Sequence, residues 1–172
     1  MYNLLWAVFA VAFVLSLAST PLAIKIAPKI GAMDVPKDGR RMHTKSMPRF
    51  GGMAIFIGTT VSMLIFMHQE PKVPAIIIGG VLIYILGVTD DLKNLPAKVK
   101  FLGQTVIAVI MYMYDVRIEF VSNFFGEGKS ELGTVLCFVV TVIWIVGITN
   151  TVNLIDGLDG LAAGTSAIAS LC

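Results

Sequence analysis

Six apolar segments separated by polar stretches constrain the fold of this chain more than any other feature. They occupy residues 4–24, 50–67, 73–88, 99–114, 132–148 and 161–172. The first holds 21 residues, and at ~1.5 Å per helical residue it would span about 31 Å, the thickness of a hydrocarbon core. We therefore predict an all-α, polytopic integral membrane protein with about six transmembrane helices, of which the last, with 12 residues, is incomplete.

Composition supports a membrane protein and excludes other classes. Hydrophobic residues make up 56% of the chain and charged residues 14%, against about 25% charged residues in an ordinary globular protein. Such a chain has too little polar surface to cover a water-soluble body, so a soluble domain and a nucleic-acid-binding module are excluded. The lipid bilayer is an expected partner and nucleic acid is not. Cys137 and Cys172 lie in apolar stretches and are expected to be small buried hydrophobes.

The basic residues predict the orientation of the apolar segments. Ten of the thirteen Lys and Arg lie in two connections, at residues 25–49 and 93–100, and short loops rich in these residues stay in the cytoplasm. We therefore expect the N-terminus outside and the loops at 25–49, 89–98 and 149–160 in the cytoplasm. The first segment is expected to remain as an anchor, because residues 1–3 hold no basic residue and the apolar run exceeds a signal-peptide core.

One stretch on the predicted outer side shows strand periodicity. Residues 116–120 alternate apolar and polar side chains, and Gly126 and Gly128 supply a turn. We predict a small external β-hairpin.

Aspartate segregates to the predicted cytoplasmic side. Six of the seven Asp residues fall in the three cytoplasmic loops, whereas all four Glu residues lie outside. Short carboxylates gathered on one side suit a fixed ligand or metal better than they suit solvation, so the chemistry is expected at the cytoplasmic face. Asp90 and Asp91 end the third apolar segment, where adjacent carboxylates repel each other unless a cation compensates. On a helix Asp90 would share a face with Lys93; an ordinary charged helix end is the alternative.

A second polar series lies between the fifth and sixth segments. Amide and carboxylate groups recur there at steps of three, at Asn150, Asn153, Asp156 and Asp159. Three residues turn a helix by about 300°, so each side chain of the series points about 60° away from the one before it. Gly157 and Gly160 can break the helix and bring the side chains back to one side. Such oxygens are hard ligands for Mg²⁺ bridging phosphates, or acceptors for a ribose or uracil. A polar hinge without a ligand is the alternative.

The first cytoplasmic loop mixes cations with turn residues and ends in Gly51 and Gly52, which open the second apolar segment. Backbone N–H groups exposed at the start of a helix can bind phosphate. Attraction of the loop to anionic lipid is the alternative, and His43 alone is a surface residue about as often as a functional one.

Together the three loops resemble those of the polyprenyl-phosphate N-acetylhexosamine-1-phosphate transferases. The matching residues are Asp34, Pro36, Arg40, His43, Pro48, Gly51 and Gly52 in the first loop; Asp90, Asp91, Lys93, Lys98, Lys100 and Gln104 in the second; and Asn150, Asn153, Asp156, Gly157, Asp159 and Gly160 in the third. The resemblance covers roughly residues 20–172. The first loop is similar to the N-acetylglucosamine-1-phosphate branch, which starts wall teichoic acid and O-antigen-type lipopolysaccharide glycans, and differs from the peptidoglycan translocase.

The resemblance implies a reaction. N-acetylglucosamine-1-phosphate, or a related sugar phosphate, would pass from a UDP-sugar to polyprenyl (undecaprenyl) phosphate at the cytoplasmic face of the inner membrane, with release of UMP. The expected cofactor is Mg²⁺, with Mn²⁺ as an alternative, and a homodimer is left open. Family members are ten-helix proteins about twice this length, and their later half supplies another metal-binding aspartate and a His-rich loop. Residues 1–172 are therefore expected to be a single transmembrane domain, the N-terminal half of such an enzyme, and inactive alone.

The resemblance also implies roles for the matching residues. Asp90 and Asp91 are expected to be catalytic, with Asp90 as the base, although either could hold Mg²⁺ or orient a lysine. The expected metal ligands are Asp91, Asp156 and Asp159. The expected substrate-binding residues are Arg40, His43, Gly51, Gly52, Lys93, Lys98, Lys100, Asn150, Asn153, Asp156 and Asp159. Two interpretations without catalysis compete: a lipid-phosphate-binding scaffold, and half of a transporter, which would place ionisable groups at helix centres.

Overall fold

All six apolar segments are helical, as predicted. The computed structural model describes residues 2–34, 47–48, 50–123, 128–156 and 160–171. Within this part of the chain the helices are α1 (Tyr2–Ile30), α2 (Gly52–Phe66), α3 (Val73–Lys93), α4 (Ala97–Met113), α5 (Thr134–Ile155) and α6 (Leu161–Leu171). Two antiparallel pairs of short strands join them: β1 (Met33–Asp34) with β2 (Met47–Pro48), and β3 (Phe120–Ser122) with β4 (Lys129–Glu131).

Among the described residues, three helices are long and apolar enough to cross a membrane. They are Leu4–Ile30 of α1, Val73–Lys93 and Thr134–Ile155, whereas Gly52–Phe66 and Leu161–Ser170 are apolar but shorter. Large apolar side chains point outward along these helices; Trp6 is 66% exposed and Leu154 82% exposed, as contact with hydrocarbon requires. The described residues thus support a membrane protein. That all six segments cross the bilayer, and in which direction, stays a prediction.

Several helices continue past the ends of their apolar segments. α1 reaches Ile30 instead of residue 24, α3 reaches Lys93 instead of 88, and α5 reaches Ile155 instead of 148. Polar side chains do not interrupt helical backbone hydrogen bonding. A helix therefore continues past the end of its apolar segment, until a residue leaves the helical conformation. The predicted loops at 89–98 and 149–160 are therefore largely helix ends, which fixes the spacing of the polar residues they carry.

The chain divides into two compact units, Met1–Lys100 and Phe101–Cys172. In the first unit α1 packs closely against α2. A Cβ added to Gly58 would lie 2.1 Å from Ser16 Oγ and 2.6 Å from the carbonyl oxygen of Ala12, and buried Ser62 donates a hydrogen bond to the carbonyl oxygen of Val8 at 2.9 Å. Only glycine allows the two helices to come this close.

In the second unit one buried threonine ties the hairpin connection to α5. The Thr141 hydroxyl donates to the carbonyl oxygen of Cys137 at 2.7 Å and accepts from the Ile118 N–H at 2.9 Å. The Tyr112 and Phe138 rings pack edge to face, with centroids 5.1 Å apart. These contacts attach the connection after α4 to the first turns of α5.

The predicted hairpin is present, but its first strand starts later than expected. β3 covers Phe120–Ser122 instead of residues 116–120, with Phe120 opposite Glu131 and Ser122 opposite Lys129. The residues before it are held elsewhere, because Val116 donates to the Met111 carbonyl and Ile118 to Thr141. Gly126 lies outside the described residues, and the pairing of β1 with β2 was not predicted.

Candidate functional site

The polar end of α3 is fixed by a turn that reverses the chain into α4. Asn94 adopts a left-handed conformation (φ 48°, ψ 66°) after the last helical residue, and its N–H donates to the carbonyl oxygen of Asp90 at 2.7 Å. Asparagine tolerates this conformation better than most residues, which explains why the helix ends here. The turn brings the start of α4 back to Asp90.

Asp90 is held by both of its carboxylate oxygens. Lys100 Nζ lies 2.7 Å from Oδ2, and the Leu95 N–H donates to Oδ1 at 3.0 Å. The Asp90 and Lys100 side chains are about one-fifth exposed, so the pair is partly withdrawn from solvent. The sequence predicted Lys93 on the same face as Asp90, but the ion pair is made with Lys100, because the turn at Asn94 brings α4 alongside. Lys93 and Lys98 are exposed.

Asp91 lines a cavity of about 130 Å³ between α2 and α3. We call this cavity the α2–α3 groove; its other lining residues are Phe50, Gly52, Met53, Tyr84, Gly87 and Val88. The two adjacent aspartates therefore face different surroundings. Asp90 joins the α3–α4 turn, and Asp91 closes one end of an otherwise largely apolar groove.

The first loop is closed at its base by β1 and β2. Met33 pairs with Pro48 and Asp34 with Met47, so the two ends of the loop run side by side. Gly51 directly precedes α2 and Gly52 is its first residue, and both are exposed. Arg40 and His43, the other predicted binding residues of this loop, lie outside the described residues.

In the second unit, the half-buried Asn150 forms an amide pair with buried Gln104. Its side-chain nitrogen donates to Gln104 Oε1 and to the Val146 carbonyl oxygen, the latter at 2.8 Å. Gln104 is only 4% exposed, so this contact joins α4 to α5 in an apolar setting. Gln104 is among the residues that match the family, but no role was predicted for it. A polar side chain in the apolar α4 could have indicated that it has a specific partner.

Two further members of the Asn/Asp series, Asn153 and Asp156, are exposed. Asn153 lies one turn beyond Asn150 on α5 and is exposed, as is Asp156, whose N–H donates to the Val152 carbonyl at 3.1 Å where the helix ends. Gly160 has a positive φ of 77° just before α6 begins, in keeping with the predicted break. Gly157 and Asp159 lie outside the described residues.

The described residues provide no ready-made metal site. Within the part of the chain that the structure covers, no three His, Cys, Asp or Glu side chains lie close enough together to hold an ion. Two of the three predicted ligands, Asp91 and Asp156, are described, and Asp159 is not. The metal-binding prediction is therefore neither confirmed nor contradicted.

A second charged cluster surrounds Arg117, between α4 and β3. Its guanidinium lies 2.8 Å from Asp115 Oδ1 and 3.1 Å from Glu119 Oε1, and it stands over the Tyr112 ring. The hydrogen bond that Arg117 donates to the Glu119 carboxylate, and then the charge of Asp115, raise the pKa of Arg117 above its usual value. All three charged side chains are more than one-third exposed.

Comparison with known proteins decides the family. The sequence profile of glycosyl transferase family 4 matches residues 73–172, which is more than half of the chain. The chain belongs to glycosyl transferase family 4. The matched stretch includes Asp90, Asp91, the three lysines that follow and the whole Asn/Asp series, whereas α1, the first loop and α2 precede it.

Three curated relatives of this glycosyl transferase family 4 chain are named as transferases, two of them for a polyprenyl phosphate. A probable undecaprenyl-phosphate N-acetylglucosaminyl 1-phosphate transferase of Bacillus subtilis is 47% identical over 163 residues, 92% of this chain and 45% of the relative. A phospho-N-acetylmuramoyl-pentapeptide-transferase of a Thermoanaerobacter species is 37% identical, over 92% of this chain and 54% of the relative. A decaprenyl-phosphate N-acetylglucosaminephosphotransferase of Mycolicibacterium smegmatis is 32% identical, over 85% of this chain and 38% of the relative.

The chain spans about half the length of the curated relatives it matches. No solved structure shows significant similarity to it.

Proposed function

We propose that this chain forms part of an enzyme that transfers a sugar 1-phosphate from a UDP-sugar to polyprenyl phosphate. An oxygen of the lipid phosphate attacks the sugar-linked phosphorus, the bond between the two phosphates of the UDP-sugar breaks, and UMP leaves. The observation that carries the proposal is the acidic pair Asp90–Asp91, which lies inside the family match. Asp90 is paired with Lys100, and Asp91 lines the α2–α3 groove.

N-acetylglucosamine-1-phosphate is the proposed group transferred. The first loop resembles that branch of the family, and the Bacillus subtilis relative, named for N-acetylglucosamine transfer, is 47% identical. The Thermoanaerobacter relative, named for N-acetylmuramoyl-pentapeptide transfer, is 37% identical. The product would be a lipid diphosphate sugar that begins a wall or surface glycan.

The contacts favour different roles for the two aspartates. Both oxygens of Asp90 are engaged, by Lys100 and by the backbone of the turn, which suits a residue that positions Lys100. Asp91 lines the groove and is the proposed acidic residue beside the reacting groups. A base is not obligatory, because the second pKa of a phosphate monoester is near ~6 and most of the lipid phosphate is already dianionic at neutral pH.

The lysines at the α3–α4 turn are proposed to offset the charge of the substrates. Both substrates carry phosphate, so their approach is repulsive until cations neutralise part of that charge. Lys93, Lys98 and Lys100 lie within eight residues around the turn. We assign them to the diphosphate, and Asn153, Asp156 and Asp159 to the nucleotide and metal.

A requirement for Mg²⁺ remains a prediction. The described carboxylates do not form a three-ligand site, so no step is assigned to a metal. Loss of turnover on chelation, with recovery on adding Mg²⁺ or Mn²⁺, is the expected result. Activity that survives exhaustive chelation would contradict it.

The proposed orientation places the acidic pair at the cytoplasmic face of the inner membrane. The support is the asymmetry of charge, with ten of thirteen basic residues in the two connections around residues 25–49 and 93–100. UDP-sugars are then available on that side without crossing the bilayer.

The test uses a chimera. Residues 1–172 are fused to the part of the Bacillus subtilis relative that this chain does not span, and the purified protein receives undecaprenyl phosphate and UDP-N-acetylglucosamine. We expect UMP release by the chimera and none by residues 1–172 alone, because the family resemblance places further charged groups in the remaining half. UDP-N-acetylmuramoyl-pentapeptide serves as the matched donor. Turnover only with that donor would overturn the substrate, and turnover with neither would overturn the proposed function.

A further inference from the structure

Side chains of α4 and α5 meet at two separate levels. At one level the Tyr112 ring of α4 packs on the Phe138 ring of α5, with centroids 5.1 Å apart. At the other, the Asn150 amide of α5 donates to Gln104 of α4. The two levels are separated by about 12 Å along α4 and about 18 Å along α5. One contact lets two helices pivot about it, whereas two separated contacts fix the angle between them.

Gln104 is the polar member of an otherwise apolar face of α4. The buried residues of this helix are Gln104, Ile107, Ala108 and Met111, at positions i, i+3, i+4 and i+7. An apolar face can pack in several similar arrangements, because the hydrophobic effect is not directional. A single polar side chain on such a face selects the arrangement in which it finds its partner. Gln104 therefore has the placement of a residue that determines helix register.

The side-chain nitrogen of Asn150 is fully used as a donor. It carries two N–H groups and has two acceptors, Gln104 Oε1 and, at 2.8 Å, the carbonyl oxygen of Val146. Because the side chain is held at once to its own helix and to α4, its orientation is fixed. Both N–H groups are thus engaged within the protein, which favours a role other than the substrate binding that the family resemblance implies for Asn150.

The orientation of Asn150 sets that of the polar residues that follow it. Three residues turn a helix by about 300°, so Asn153 points about 60° away from Asn150. With Asn150 directed at α4, Asn153 is exposed, and so is Asp156 where the helix ends. A rotation of α5 about its axis would move these side chains together. The contact with Gln104 therefore determines where the two exposed side chains are presented.

An amide pair is a poor choice for stability alone. A buried amide loses its hydration, and the net gain from its hydrogen bond is small. Two apolar side chains of similar volume would hold the helices together equally well or better. A polar pair is the better choice where one arrangement has to be selected among several of similar stability. The Gln104–Asn150 pair is thus better suited to fixing an arrangement than to adding stability.

We propose that the Gln104–Asn150 pair sets the rotation of α5 on α4 and thereby presents Asn153 and Asp156 to the nucleotide. This inference rests on the proposed function, which assigns those two residues to the nucleotide and metal. Gln104 and Asn150 are positioning residues: they act through the side chains that follow Asn150 and do not touch the substrates.

The first test measures the kinetics of the chimera. Gln104→Leu, Asn150→Leu and the double variant all break the same pair, so each should raise the KM for UDP-N-acetylglucosamine by about tenfold, with a smaller change in kcat. The double variant replaces the pair by an apolar contact. It should recover part of the unfolding midpoint that the single variants lose but keep their raised KM. Recovery of both quantities would reduce the pair to a structural contact and overturn the proposal.

A control variant separates positioning from lost stability. Val146 is buried and lies one turn before Asn150 on α5, so Val146→Ala should lower the unfolding midpoint while the amide pair remains. Its KM should stay close to that of the unchanged chimera. A KM raised as far as in Gln104→Leu would overturn the proposal. So would a raised KM in Asn150→Leu beside a normal KM in Gln104→Leu, which would make Asn150 a substrate ligand.

The second test measures the helix arrangement in residues 1–172 and needs no turnover. Cys137 and Cys172 are replaced by alanine, and spin labels are attached to cysteines placed at Leu102 of α4 and Leu154 of α5, which are both exposed. Double electron–electron resonance in lipid nanodiscs should give one narrow distance for this chain and for its Val146→Ala variant. The double leucine variant should give a broad or split distribution. The same narrow distance in all three would overturn the proposal.

These tests and the test of the proposed function fail separately. A chimera that releases UMP with an unchanged KM in every variant keeps the proposed function and removes the positioning role. A chimera that releases no UMP removes the proposed function, while the distance distributions still decide whether the pair sets the rotation of α5.

Discussion

The α3–α4 turn and the Arg117 cluster contain the same kinds of charged contact but differ in how they are built. In the turn, Asp90 and Lys100 are ten residues apart, come from two helices and are about one-fifth exposed, and the carboxylate also accepts a backbone hydrogen bond. The Arg117 cluster joins neighbours within five residues, and its side chains are 37–56% exposed. An exposed local ion pair contributes little stability. Ion pairs alone therefore do not identify a functional site. Partial burial and an additional backbone hydrogen bond to the carboxylate distinguish the α3–α4 turn from the Arg117 cluster.

The volume of a cavity is an equally poor indicator of a functional site. The Arg117 cluster borders a cavity of about 360 Å³, larger than the α2–α3 groove at about 130 Å³. The larger cavity is lined by both charged and apolar side chains at the start of an exposed hairpin, whereas the groove combines preformed rings with one carboxylate. The comparison predicts that substitutions at the α3 end affect transfer strongly and that those near Arg117 do not.

The largest effect is expected for Asp91→Asn. Replacing the carboxylate by an amide of the same size should lower UMP release by the chimera roughly 10²–10³-fold, the cost of removing one preorganised group at a charged transition state. Membrane insertion should be unchanged. Glu119→Gln, the same type of change in the Arg117 cluster, is the control. Near-normal turnover in Asp91→Asn would end the catalytic interpretation of this residue.

The next prediction distinguishes two possible roles of Asp90, the positioning of Lys100 and action as a base. If Asp90 positions Lys100, then Asp90→Asn, Lys100→Met and the double variant should lose similar activity, because each breaks one unit. Most of the loss should appear in the KM for the UDP-sugar, with a smaller change in kcat. Losses that multiply in the double variant, with kcat falling at constant KM, would support Asp90 as the base.

A smaller effect concerns the Gln104–Asn150 amide pair of the second unit. Asn150→Ala removes the partner of buried Gln104, which should lower the free energy of unfolding by about 1–3 kcal/mol. Asn153→Ala, on the exposed side of the same helix, should change it little. Thermal unfolding in detergent gives the measurement. A double variant with leucine at both 104 and 150 should recover part of the loss, and no difference between Asn150→Ala and Asn153→Ala would contradict the role of the pair.

The smallest effect is expected at the Arg117 cluster. Arg117→Leu removes both ion pairs and the contact with the Tyr112 ring, yet UMP release and the unfolding midpoint should stay close to those of the unchanged chimera, because the pairs are solvated and screened by salt. A loss of turnover comparable to that of Asp91→Asn would remove the distinction between the two regions.

The sequence predicts the helices well because each apolar segment holds at least 12 residues, which is longer than an ordinary strand. It predicts helix ends poorly, since Asp90 and Asn150 are polar but remain helical. The partner of Asp90 could not be predicted either. Periodicity along α3 pointed to Lys93, and the contact with Lys100 depends on the left-handed backbone of Asn94, which brings a second helix alongside.

The acidic pair was predictable from the sequence, but its surroundings were not. The acidic pair stood out by its place at the end of an apolar segment. The different environments of Asp90 and Asp91 depend on which way each side chain leaves the helix, and the aromatic wall at Tyr84 depends on packing between α2 and α3. Tyr84 lies seven residues before Asp91, so helical spacing could have suggested a shared face.

We propose that the polar end of α3 faces the cytoplasm, where UDP-sugars are, and that the hairpin faces outside. The direct measurement is site-specific labelling in intact cells. Single cysteines at Asn94 and Gly128 are introduced into a chain in which Cys137 and Cys172 are replaced by alanine, and they are treated with a membrane-impermeant maleimide. We expect labelling of position 128 in intact cells and of position 94 only after the membrane is opened. Labelling of position 94 from outside would contradict it.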